Sequence, residues 1–200
     1  MPINRFRQDI AKALEDERST GALRDRILAA LPDSDDPTQD CYEIHQFVVG
    51  YVKASADLLE AAYAAAEESE SLDSVGPFLE AAVRYIDEDA DFIPDDGGLT
   101  GYIDDAYCVF NLLQRVSDAQ RDAGEIPLIR FDYRTANRKM RTMLGDSMSS
   151  RIEAAVEKLL ADAADPAGSL VGVLKQRDAA VGESVSLPPM PNIPQLNLGG

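Results

Sequence analysis

The chain has 200 residues, 45% of them hydrophobic, and a formal net charge of −17. That length suits one domain, or one domain plus a tail, with enough apolar residues for a core. Nucleic acid and anionic lipid are bound by Lys and Arg that neutralise phosphate, so so acidic a chain argues against both partner classes.

Phe6, Ile10 and Leu14 recur at i, i+4, i+8 and predict an amphipathic helix over residues 4–18, broken at Ser19-Thr20-Gly21. Leu23, Ile27, Leu28 and Leu31 predict a short second helix, ended by the proline-bounded turn 32–37. Thr38 or Asp40 is expected to cap a long third helix reaching about residue 68. Ile44, Phe47, Val48, Tyr51, Val52, Leu59 and Ala62 keep its 3.6-residue period, and it is expected to be the centre of the bundle. A fourth helix starts between Ser74 and Pro77, with Pro77 in the first turn, and buries Val75, Phe78, Leu79, Ala82, Val83 and Ile86. Thr100 is expected to cap a fifth, with Ile103, Ala106, Tyr107, Phe110, Leu113 and Val116 inside and Gly124 at its end.

Residues 125–131 read as a connector, extended at Leu128-Ile129. Asp132 is expected to cap a sixth helix that buries Tyr133, Ala136, Met140 and Met143 and stops at Gly145. Ser150 and Glu153 have capping-box spacing for a seventh, which buries Ile152, Val156, Leu159 and Leu160. Pro166 interrupts it, and Leu170, Leu174 and Val181 predict an eighth. No period of two occurs. The expected fold is therefore all-α, a bundle of seven or eight helices over residues 1–182, followed by an extended proline-rich tail over 183–200.

That tail holds four of the eleven prolines and a single charge, Glu183. Leu187, Met190, Ile193 and Leu196 recur every three residues, the period of a polyproline II helix, and so share one side of it. A tail that only solvates would be more polar. These four residues are expected to dock a protein partner.

Acidic residues are unevenly spread. Twenty of the 36 lie between residues 32 and 110, where Lys53 and Arg84 are the only bases. Such a field draws cations or basic partners, or simply keeps the protein soluble. The densest stretch is 85–106, in which a run of acids leads into Phe92-Ile93-Pro94, a glycine-rich turn and Asp104-Asp105. Asp87, Asp91, Ile93, Pro94, Gly101, Tyr102, Asp104 and Asp105 resemble the signature of the YkvA-like family, a bacterial domain family with no assigned activity. The resemblance spans roughly residues 75–117. Ala90 stands where that family usually has proline, and residues 95–100 make a longer link than usual. The resemblance implies a helix, a tight loop and a second helix.

Asp87, Asp89, Asp91, Asp95, Asp104 and Asp105 are candidate ligands for Ca2+ or Mg2+. The first three have D-x-D-x-D spacing and Asp95 falls at the ninth position of that frame, but Phe92 and Gly98 stand where an EF-hand needs Gly and Glu. The alternative is structural: capping of backbone N–H groups, arginine pairs, and two aspartates at a positive helix N-terminus. Arg130, Arg134, Arg138 and Arg141 form one helical stripe, either an anion site or the internal partner of the acidic middle. His45, the only histidine, lies beside the apolar face of the third helix with no obvious metal partner and reads as a packing or surface residue. The usual nucleophile, zinc and phosphate-loop motifs do not occur.

Cys41 and Cys108 read as small core residues. No apolar leader is visible at the N-terminus and no run approaches the ~20 apolar residues of a membrane span. The resulting expectation is a cytoplasmic, non-catalytic helical adaptor, monomeric or homo-oligomeric, that docks a protein partner through its tail or acidic face. A cation-responsive module built on the loop 87–105 is the alternative, with a metal-dependent enzyme behind it.

Overall fold

A computed structural model describes residues 2–87, 92–93 and 95–164, except for the side chains of residues 2, 95 and 96. The described residues form six α-helices: α1 (Pro2–Thr20), α2 (Ala22–Ala29), α3 (Pro37–Glu68), α4 (Leu72–Asp87), α5 (Ile103–Asp122) and α6 (Arg134–Ala163). A 3-10 segment, Asp95–Tyr102, precedes α5. Among the described residues the fold is all-helical, as expected, with six α-helices. The expected sixth and seventh are the two arms of α6, which breaks at Gly145, and the expected eighth and the tail lie outside the described residues.

Local starts differ from the sequence reading where a nearer group competes for the same N–H. Asp36, not Thr38 or Asp40, caps α3: its side chain accepts from Gln39 N at 3.1 Å, with Pro37 following. Asp40 accepts instead from Ser34 Oγ at 2.6 Å. Pro77 lies in the second turn of α4, because the helix already begins at Leu72. Thr100 does not cap α5; its hydroxyl donates to Gly97 O at 2.6 Å. Ser150 and Glu153 lie inside the second arm of α6, which starts just after Gly145.

The centre of the bundle is α5 and not the longer α3. Fifteen of its twenty residues are buried, against a single buried stripe on α3. It packs on α3, α4, α6 and the 3-10 segment. Phe110 stacks on Tyr51 of α3 at 4.2 Å between ring centres and meets Tyr133 edge-on at 4.9 Å. Tyr51 OH donates to Asn137 Oδ1 at 2.8 Å and ties α3 to α6.

The first arm of α6 starts with Arg134 bound to Asp118 of α5 (2.7 Å) and runs back along that helix. At Gly145 the chain turns, with φ 75 and ψ 161. The second arm then runs forward along α5, since Glu153 meets Tyr107 and Glu157 meets Arg115. Arg141 Nε reaches Glu153 at 3.1 Å and ties the two arms together.

A backbone at φ 75, ψ 161 is open essentially to glycine alone. Gly145→Ala is expected to cost about 1–3 kcal/mol, read as a shift in urea midpoint with unchanged helical content. Burial raises the Tyr51 phenol well above its ordinary value, as do burial and then the bond to Glu153 for Tyr107. Both stay protonated in the fold where tyrosines of the unfolded chain, at about 10, have ionised. The unfolded chain then holds fewer protons, so stability present below about pH 10 is lost as pH rises above it. Urea midpoints between about pH 9 and 11 are expected to fall, and to fall less in Tyr51→Phe.

Candidate functional site

The acidic stretch is organised by Asp104. This residue sits in the first turn of α5, completely buried. Its Oδ2 accepts from Phe92 N and Ile93 N, both at 3.0 Å. One carboxylate thus holds the loop strand against the helix start, where the helix dipole also favours negative charge. Ile93 is buried, whereas Phe92 is half-buried under the guanidinium of Arg151, 4.7 Å from the ring centre. Asp105 is buried next to it, and together they lie near Cys108, whose thiol is raised first by burial and then by Asp105 and Asp104.

The candidate cation ligands therefore divide. Asp87 is exposed at the end of α4 and lies 3.6 Å from Arg5 of α1. Asp104 is engaged by backbone. Asp89 and Asp91, and the side chain of Asp95, lie outside the described residues. Among the described residues no three His, Cys, Asp or Glu side chains converge in a way that holds a metal ion.

Among the described residues the arginine stripe pairs with acids outside the loop 87–105. Arg134 binds Asp132 and Asp118, both at 2.7 Å, and Arg141 binds Glu153 and Asp146 at 3.1 and 3.3 Å. Arg130 and Arg138 are exposed and make no ion pair among the described residues. Arg134 opens the first arm of α6 beside the C-terminal half of α5, where Asp118 and Asp132 are the nearer acids. The tail candidates Leu187, Met190, Ile193 and Leu196 lie outside the described residues.

The acidic middle becomes a surface on the α3–α4 hairpin. Glu67, Glu68, Glu70 and Asp73 ring its tip, with Leu72 partly exposed among them, and Glu80 and Asp87 continue along α4. Farther down, Arg7 of α1 bridges Asp57 and Glu60 of α3 at 2.9 and 2.7 Å. Glu67, Glu68, Glu70, Asp73 and Glu80 have no ion-pair partner among the described residues. A shallow cleft of about 270 Å3 lies beside them, lined by Tyr63, Glu80, Val83, Arg84 and Asp87. The Tyr63 phenol is raised there by burial and next by Glu80.

Two buried polar arrangements escaped the sequence reading. Glu17, on α1, accepts from Leu23 N (2.8 Å) and Arg24 N (3.2 Å), capping α2 in place of a residue at the helix start. His45 Nε2 lies 3.0 Å from the same carboxylate, so the lone histidine is a structural tie among three helices. The second is a clamp on the connector 125–131 and on Tyr133 at the start of α6. Gln120 Oε1 accepts from Leu128 N, Ser117 Oγ from Ile129 N and Gln114 Oε1 from Tyr133 N, at 2.8, 3.1 and 2.8 Å. Arg121 donates to Ile129 O at 2.8 Å. The signal was the three-residue recurrence of Gln114, Ser117 and Gln120 on a helix that is otherwise buried.

Comparison with protein-family models, curated proteins and solved structures finds no match to this chain.

Asp104→Ala is expected to strand two N–H groups, each costing about 1–3 kcal/mol when buried and unpaired. Asp104→Asn, which keeps one acceptor oxygen, is expected to cost less. Thermal melts of both variants check this, and equal losses would show that the two bonds are not what Asp104 supplies.

Proposed function

We propose that the protein is a non-catalytic helical interaction protein whose α3–α4 face docks a basic segment of a partner protein. The observation that carries this reading is the group of exposed carboxylates at Glu67, Glu68, Glu70, Asp73 and Glu80, none of them ion-paired among the described residues. Elsewhere on the surface the carboxylates Asp57, Glu60, Glu153 and Glu157 are bound by arginines. Concentrated charge of one sign speeds encounter with a complementary partner and selects against acidic ones. The tip also carries apolar Leu72, 39% exposed, which gives a docked segment something to bury. The resemblance to the YkvA-like family over residues 75–117 and a cytoplasmic setting belong to the same proposal. Within the acidic stretch Asp104 holds backbone and Asp87 faces Arg5, which favours docking over a loop that responds to Ca2+ or Mg2+. Calorimetric titration with either cation separates these readings, since a micromolar binding heat supports the cation-responsive one.

The docking test uses a fluorescent, unstructured Lys/Arg-rich peptide. Binding is expected to weaken with added salt and to be lost when Glu67, Glu68 and Glu70 are changed to Lys. Reversing Asp16, Asp33 and Asp35, which lie elsewhere, is the control for net charge. An equal loss in the control would replace a docking face with nonspecific attraction.

A further inference from the structure

We propose that the C-terminal segment, residues 183–200, seats on the 125–131 connector of its own chain. Among the described residues the connector is satisfied on one side only. Its inner edge is held by Gln120, Ser117 and Arg121 of α5, with Leu128 and Ile129 buried beneath it. Its outer edge turns Ile126, 72% exposed, and Phe131, 61% exposed, to solvent. The N–H groups of Ile126, Arg130 and Phe131 make no hydrogen bond to a described residue. An extended strip with an exposed aromatic ring and N–H donors that no described residue meets is suited to a rigid, extended segment, the form in which proline-rich chains are recognised.

The C-terminal segment has the matching chemistry. Leu187, Met190, Ile193 and Leu196 recur at a period of three, and so do Pro188, Pro191 and Pro194, so that a polyproline II helix would set them on two adjacent ridges. Its carbonyl groups, unused in a polyproline II helix, are acceptors for the connector's donors. With Glu183 as its only charge, it covers an apolar strip without adding to the repulsion of a chain at −17.

Position selects the chain's own copy as the site. The second arm of α6 runs parallel to α5, with Glu157 beside Arg115. Ala164 lies seven residues past Glu157 and Asp122 seven past Arg115, so both ends stand about 10 Å beyond that pair, at the same end of the bundle. The connector begins three residues past Asp122. Residues 165–182 then span up to roughly 60 Å, more than enough to bring the segment there. A tether of that kind presents the segment at an effective concentration on the order of millimolar. A second copy must first overcome the repulsion between two strongly negative chains.

The experiment places a nitroxide on the full chain through Met190→Cys, since Cys41 and Cys108 are buried. Amide signals of residues 126–131 are expected to broaden to the point of loss, equally at high and at tenfold lower concentration. Phe131→Asp and Ile126→Asp, both at exposed positions, are expected to restore those signals without moving the melting temperature. Sharp signals in the labelled chain overturn the proposal, and so does broadening that persists in both variants. Broadening seen only when labelled chains are mixed with unlabelled isotope-enriched ones also overturns it, because the seat is then on another copy. Charge reversal at Glu67, Glu68 and Glu70 leaves the broadening unchanged, which keeps this result separate from that of the acidic face.

Discussion

Burying a helix on nearly every side requires that its polar side chains find partners within the protein, because an unpaired buried donor or acceptor costs about as much as a hydrogen bond is worth several times over. α5 meets that requirement with Asp104, Gln114, Ser117 and Gln120, and in doing so positions its surroundings. Asp104 draws in the backbone at 92–93, Gln114 takes Tyr133 N at the start of α6, and Ser117 and Gln120 hold the connector between them. The loops at both ends of the helix are thereby held by side chains. Gln120 Nε2 is a buried donor with no hydrogen-bond partner among the described residues.

The return of α6 depends on the same helix. Its first arm is moored at Asp118 and its second at Tyr107 and Arg115, and the two run in opposite directions. Gly145 supplies the reversal because its backbone angles are closed to residues with a Cβ. Tyr107, which bonds Glu153 from inside the core, holds the second arm in register while Arg141 closes the fork from the outside.

Charge is distributed by a different logic. Arg5 and Arg7 on α1 reach acids on α4 and α3, so the part of the acidic middle nearest α1 is neutralised within the molecule. The hairpin tip is beyond their reach and keeps its negative field. Exposed ion pairs of this kind contribute little stability each, about 0–1 kcal/mol. Their arrangement matters more for what the surface attracts than for whether the chain folds.

Helices and their buried faces were legible from periodicity alone, because apolar residues at 3.6-residue spacing have few other ways to leave water. Phe6, Ile10, Val48, Leu59, Leu79, Met140 and Ile152 are buried as their spacing required. Gly145 was legible as a stop for the same local reason. What could not be read was which competing partner each polar group takes, since that depends on elements distant in sequence. Glu17 caps a helix to which it does not belong, Thr100 turns to Gly97 instead of α5, and Arg134 prefers Asp118 to the loop that looked more acidic. Length pointed to α3 as the centre, whereas packing chose α5. A sequence specifies which faces avoid water, but only the assembled bundle sets the distances that decide among hydrogen-bond and ion-pair partners.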